Sequence, residues 1–258
     1  VGEDVVSDTL PEGHRLRIYD DKTALMDAAA DYFTARLGES PSGPRVALAG
    51  GRTPFPVYER LSAPTLRSRV PWKRVRFVLT DERCVPVTDE ESNFRMANEA
   101  LFAPLGVPTD RLIRIPGEYS PEKAAEKTHK MLLVWAQRVP LFDLVVLGLG
   151  NDGHVASLFP AEEWPDFGVR LAVATAHPSG QPRVSLTPGA LRSTRCTMFL
   201  VSGADKAEAV RDALQAPEAS PRHPARMVST HSALWLLDRS AAALLPEAWR
   251  AEGEAAAD

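Results

Sequence analysis

The stretch from residue 142 to 160 constrains this chain more than any other. Residues 144–149 (Leu-Val-Val-Leu-Gly-Leu) are apolar without alternation, the pattern of a strand buried on both faces of a parallel sheet. Gly148, Gly150 and Gly153 let the backbone turn sharply or take positive φ. That turn delivers Asp152 and His154 together, just past the C-terminal end of the strand. Ligands bind at that edge in open α/β sheets. A histidine there is a candidate general base, since an imidazole ordinarily titrates near working pH.

The rest of the chain alternates strand and helix patterns. Strands are expected at residues 16–19, 45–49, 75–80, 144–149, 183–187, 196–201 and 233–237. Residues 23–37 place Leu25, Ala28, Ala29, Tyr32 and Phe33 on one helical stripe. Ser120, Pro121 and Glu122 read as N-cap, N1 proline and acidic N2. They open a helix with Ala124, Thr128, Met131, Leu132 and Trp135 on one face. A further helix is expected near residues 206–214. Repeated β-then-α units predict an α/β fold: a mostly parallel, Rossmann-like sheet with helices on both faces, in three layers. No Ser/Gly linker divides the chain and no repeat is evident, so residues 1–258 read as a single domain. Residues 215–224 hold three prolines and read as a surface loop. The small, acidic stretch 251–258 is expected to fray.

Composition excludes several classes. A net charge of −4 lacks the basic footprint of a nucleic-acid binder. No apolar run reaches the ~18 residues of a membrane span, and the acidic N-terminus (residues 1–8) lacks the basic start and apolar core of a signal peptide. Cys84 and Cys196 are far apart, without metal spacing or a disulfide framework. A cytoplasmic protein is the expectation, with no obligate protein partner evident.

Four strand ends carry chemistry-capable residues. After 45–49 come Gly50, Gly51, Arg52, Thr53 and Pro54. Thr53 is a possible N-cap with Pro54 at N1, and exposed amides at such a helix start can cradle phosphate. After 75–80 come Asp81, Glu82 and Arg83, with Ser92 and Asn93 a little further on, groups able to bond sugar hydroxyls or phosphate. The Asp152/His154 turn is the third. The fourth is Gly203-Ala-Asp-Lys206, where a lysine follows a strand and opens a helix. Each alone has a bland alternative: a plain turn, a surface salt-bridge cluster, a solvated lysine. Residues 148–153 also fit the dinucleotide fingerprint G-x-G-x-x-G, but Pro160 and Pro165 leave little room for the long helix that fingerprint requires.

In order and spacing, these four motifs together resemble the glucosamine-6-phosphate isomerase/6-phosphogluconolactonase family, on its lactonase side. The resemblance spans residues 45–206: Gly-Gly-x-Thr-Pro at 50–54, Asp-Glu-Arg at 81–83 with Ser92-Asn93, Gly-x-Gly-x-Asp-Gly-His-x-Ala-Ser-Leu-Phe-Pro at 148–160, Pro-Arg-Val-Ser-Leu-Thr at 182–187 and Lys206. The isomerases usually carry Asp-Glu-Tyr for Asp-Glu-Arg, and a catalytic glutamate where this chain has Phe159. The chain departs from the family at Ala49, where serine is frequent, at Arg52, usually small and polar, and at Cys84, commonly tryptophan. Cys84 has no base beside it in sequence and reads as a buried or rim residue. There is no Gly-x-Ser-x-Gly elbow.

The resemblance implies hydrolysis of 6-phospho-D-glucono-1,5-lactone to 6-phosphogluconate, in the oxidative pentose phosphate pathway. On that reading His154 is the base. Asp152 either orients it or bonds a sugar hydroxyl, and Arg83 serves the phosphate or the oxyanion. Gly50, Gly51, Arg52, Thr53, Arg183 and Lys206 hold the phosphate, and Asp81 and Asn93 contact the sugar. A small sugar-phosphate lactone is then the partner, and no metal or redox cofactor is required. The rivals are a sugar-phosphate isomerase/deaminase, which needs the missing glutamate, and a non-catalytic sugar-phosphate sensor, which would carry a DNA-binding helix-turn-helix.

Overall fold

The computed structural model describes residues 9–38, 43–216, 220–229 and 232–257. The acidic N-terminus read above, the middle of the proline-rich loop, His231 and Asp258 lie outside the described residues. Ten strands and ten helices alternate along the described chain: β1 His14–Tyr19, α1 Lys22–Gly38, β2 Arg45–Leu48, α2 Phe55–Ser62, α3 Pro64–Arg67, β3 Arg76–Leu79, β4 Asp81–Arg83, α4 Asn93–Ala97, α5 Ala103–Leu105, β5 Leu112–Ile113, α6 Pro121–Leu133, β6 Leu144–Leu147, β7 Ala172–Ala176, β8 Pro182–Leu186, α7 Pro188–Arg192, β9 Thr197–Val201, α8 Ala207–Gln215, α9 Pro224–Val228, β10 Ala233–Asp238 and α10 Glu247–Ala255.

Seven strands form one parallel sheet in the order β1-β10-β9-β6-β2-β3-β5. Every residue of β6, β9 and β10 is buried, which is why these strands read as apolar runs. In the middle of the core, Phe199 and Trp235 stack with centroids 4.0 Å apart. From β2 the chain steps outward to β3 and β5. From β6, which lies against β2 in the register Val46↔Leu144, it steps the other way to β9 and β10. Right-handed crossovers running in opposite directions place their helices on opposite faces. The sheet therefore has its topological switch point between β2 and β6, and a crevice opens there at the strands' C-terminal ends.

Several expectations need correction. Residues 183–187 do form a strand, but β8 belongs to a second, antiparallel sheet, β4-β8-β7. Thr53 is not the cap of α2. Pro54 is already helical (φ −76°, ψ −19°) and occupies the cap position, without a side-chain cap bond. Met131 is 37% exposed rather than buried with Ala124, Thr128 and Leu132, while Trp135 is buried but lies past the end of α6. The C-terminal stretch does not fray through residue 255. It is α10, packed against β1 and anchored by the buried Trp249.

Candidate active site

The switch-point crevice is a cavity of about 570 Å³. Its walls come from the loops after β1, β2, β3, β6 and β9, plus β8 from the small sheet. Gly50, Gly51, Arg52, Thr53, Asp81, Arg83, Asn93, His154, Arg183 and Lys206 all line it. Asp152 does not. It sits behind His154, on the wall of a smaller hollow.

The β2 loop supplies amides. The backbone N–H groups of residues 50–53 have no protein acceptor among the described residues, so they are free for an anion. Gly50 is required by close approach: a Cβ there would lie 1.9 Å from Asn93 Oδ1. Asn93 is held from both ends of its amide. Its amide nitrogen donates to the Asp81 carbonyl at 2.9 Å, and its Oδ1 accepts from Arg83.

Glu82, read in the sequence as a group able to bond sugar or phosphate, instead fixes this corner. Its buried carboxylate accepts from the amides of Arg83 (2.9 Å), Asn93 (2.7 Å) and Phe94 (2.8 Å) and from Ser92 Oγ (3.1 Å). Burial pushes Glu82 up, and the three amides pull the other way. A carboxylate at the start of α4 satisfies the helix's free N–H groups and ties α4 to β4.

The antiparallel pairing of β4 with β8 sets Arg83 directly opposite Arg183. Like charges at opposed positions destabilise a sheet. Asp81 offsets this on one side, lying 3.8 Å from Arg183. Asp81 also accepts from Ser157 Oγ at 2.6 Å. Burial, and then the charge of Arg83, press Arg183 below its ordinary value, with Asp81 working the other way. Two guanidiniums side by side at a cavity wall make a seat for an oxyanion.

Among the described residues, the β6 loop holds the one histidine on the cavity wall. His154 Nδ1 lies 2.6 Å from Asp152 Oδ1, and the His154 amide donates to the same oxygen at 3.1 Å. Partial burial works against ionisation of Asp152. The hydrogen bond and charge of His154 and the turn amides outweigh it and hold the carboxyl down at about 2. Gly150 makes room for the pair, since a Cβ there would lie 2.1 Å from His154 Nδ1. The far face of the imidazole packs on Phe159, with centroids 4.9 Å apart. With Nδ1 committed to Asp152, Nε2 is left as the acceptor. No helix forms between Gly150 and β7, so the G-x-G-x-x-G match lacks the helix N-terminus that a pyrophosphate would need.

From the neighbouring β9 loop, Lys206 Nζ donates to Asn151 Oδ1 in the same turn as His154. The preceding loop is braced by buried Asp238, which accepts from Ser202 Oγ and the Gly203 and Ala241 amides. Lys22, Asn151 and Ser202 also reach the cavity and went unnoticed in the sequence. Each is a single polar residue on a loop or helix start, with no pattern to mark it. Cys84 is half-buried, and burial, with Glu82 and Glu122, pushes its thiol up to about 11, the opposite of an activated nucleophile.

Known proteins resemble this arrangement along most of the chain. A family model described as glucosamine-6-phosphate isomerases/6-phosphogluconolactonase matches residues 20–236. A 6-phosphogluconolactonase of Treponema pallidum is 35% identical, over 85% of this chain and 92% of the relative. One of Synechocystis is 38% identical, over 81% and 87%. The crystal structure of the Thermotoga maritima 6-phosphogluconolactonase superposes with a TM-score of 0.75 at 32% identity, covering 87% of this chain and 99% of that one. A monomeric glucosamine-6-phosphate deaminase has the same fold, with a TM-score of 0.75 at 20% identity. The sheet with its switch-point cavity and the extent of these matches lead to one conclusion: the chain belongs to the glucosamine-6-phosphate isomerase/6-phosphogluconolactonase family.

Proposed function

We propose that this chain hydrolyses 6-phospho-D-glucono-1,5-lactone to 6-phosphogluconate, the lactone-opening step of the oxidative pentose phosphate pathway, with residues 1–258 acting as one catalytic domain. The observation that carries the reading is the His154–Asp152 pair, which faces a cavity also walled by Arg83, Arg183 and Lys206. Asp152 accepts from Nδ1 and orients the ring. Its place outside the cavity favours this over a bond to the sugar. His154 Nε2 takes a proton from water, and the hydroxide adds to the lactone carbonyl carbon. The carbonyl oxygen becomes an oxyanion beside the Arg83 guanidinium. It collapses with cleavage of the bond to the ring oxygen, and the imidazolium returns its proton to that oxygen. No covalent intermediate is needed.

The phosphate, nearly a dianion, sits among the amides of residues 50–53, Lys206, Arg183 and the exposed Arg52. Asp81 and Asn93 face the sugar, and Arg83 serves the oxyanion. Phe159 packs on His154 where an isomerase would hold a glutamate, so ring-opening isomerisation lacks its acid/base group. A sensor would have no use for an oriented base. Among the described residues no helix is long and apolar enough to cross a membrane, and both cysteines are free. We place the enzyme in the reducing cytoplasm, with the small lactone as its only required partner. The test is hydrolysis of freshly made 6-phosphogluconolactone, corrected for spontaneous opening, together with an assay for ammonia release from glucosamine 6-phosphate. Turnover of the first and none of the second is expected. The reverse would overturn the proposal.

A further inference from the structure

Lys206 does not stand free at the cavity wall. Its Nζ donates to Asn151 Oδ1, and the Asp205 carboxylate lies 3.9 Å from the same nitrogen. Asn151 belongs to a different loop, the turn that presents the histidine. It follows Gly150, whose amide donates to the His154 carbonyl at 2.8 Å, and precedes Asp152, which holds the imidazole. The two loops leave β6 and β9, which are neighbours in the sheet. One side-chain hydrogen bond therefore joins the ammonium to the turn that carries the base. An ammonium has three N–H groups. One goes to Asn151, one faces Asp205, and the third is left for an oxyanion in the cavity. Without Asn151, a long lysine side chain would spread over many rotamers.

We propose that Asn151 is a positioning residue that couples the phosphate seat to His154. It aims Lys206 into the cavity, and a phosphate gripped by Lys206 in turn steadies the turn that carries the imidazole. Coupling of this kind is reciprocal, so its benefit is confined to substrates that carry a phosphate. The inference rests on the reading of Lys206 as a phosphate ligand.

Four variants test it: Asn151→Ala, Asn151→Asp, Lys206→Ala and the Asn151→Ala/Lys206→Ala double. Each is assayed on 6-phosphogluconolactone and on unphosphorylated gluconolactone. Asn151 is exposed, so its replacement leaves the core untouched. Asn151→Ala should lower kcat/KM for the phosphorylated lactone by roughly tenfold or more, the size of one hydrogen bond to a charged group. Both a higher KM and a lower kcat should contribute. The unphosphorylated lactone should change by no more than about twofold, within ordinary packing noise. Asn151→Asp keeps an acceptor for the ammonium and should retain most of the activity. The double variant should lose no more than Lys206→Ala alone. Equal losses on both lactones would mean that Asn151 merely shapes the turn, and additive losses would mean that the two side chains are uncoupled. Either result overturns the proposal. Lys206→Ala separates the two levels. If it impairs both lactones alike, the phosphate reading itself fails. If it discriminates while Asn151→Ala does not, only the coupling fails.

Discussion

His154 earns its proposed role through its neighbours rather than its sequence position alone. Asp152 fixes one ring nitrogen, Phe159 packs on the ring and Gly150 leaves the space. His154→Asn keeps the size and removes the titrating base. It should leave folding and 6-phosphogluconate binding intact and lower corrected kcat by ~10²-fold or more. Asp152, held down at about 2, stays an anion through any ordinary assay range. A change in kcat of less than tenfold would assign water activation to another group. A second prediction at this scale concerns Arg183 and Lys206. Alanine at either should weaken 6-phosphogluconate binding by roughly 1.5–3 kcal/mol and affect gluconolactone far less. Equal weakening of both would place these residues in the fold or the chemistry.

At the scale of elements, legibility in the sequence followed burial. β6, β9 and β10 are buried along their whole length, so their apolar runs were unmistakable and located the loops that follow them. β4 and β8 were harder. β4 is three residues long, and a short strand of Asp-Glu-Arg carries no hydrophobic period. Its pairing with β8, which creates the Arg83/Arg183 seat, is a long-range contact that no local pattern encodes. The fraying expected for 251–258 fails because α10's small, charged residues hide its buried contacts, Trp249 and the close-packed Gly253.

The β1–β10 edge contains one buried group with a measurable signature. His14 accepts from Trp235 Nε1 at 3.2 Å and faces Arg226. Burial, and then the Arg226 charge, lower it from 6.5 to about 4. The unfolded chain thus takes up a proton between those values that the folded chain refuses. The stability this site contributes is complete above pH 6.5 and is lost as pH falls toward 4, by roughly 3 kcal/mol in all. His14→Gln keeps an acceptor for Trp235 and does not titrate. Denaturant unfolding of wild type and variant across pH 4–7 should show a difference that shrinks on acidification. A constant difference would mean that His14 protonates equally in both states.

For the whole molecule, the argument turns on where the sheet reverses. The β2 loop belongs to the half that builds outward through β3 and β5, and the β6 and β9 loops belong to the half that builds toward β10 and β1. A ligand in the cavity touches both halves at once, so binding should stabilise the fold as a unit. A small sugar phosphate fits this geometry: free amides, cations and the base share one cavity. A dinucleotide does not, because the glycine-rich turn after β6 runs into residues 154–171 without the helix that would meet a pyrophosphate. The expected outcome is therefore a contrast in thermal unfolding. At about 100 times its dissociation constant, 6-phosphogluconate should stabilise the protein by about 2.7 kcal/mol, a shift of roughly 5–11 °C for a chain of this size. NAD(H) and NADP(H) at comparable concentrations should leave the transition where it is. A clear shift with a dinucleotide and none with 6-phosphogluconate would show that the G-x-G-x-x-G match, and not the anion seat, had been the informative part of the β6 loop. The phosphate, the lactone and the role given to Lys206 would then fall together.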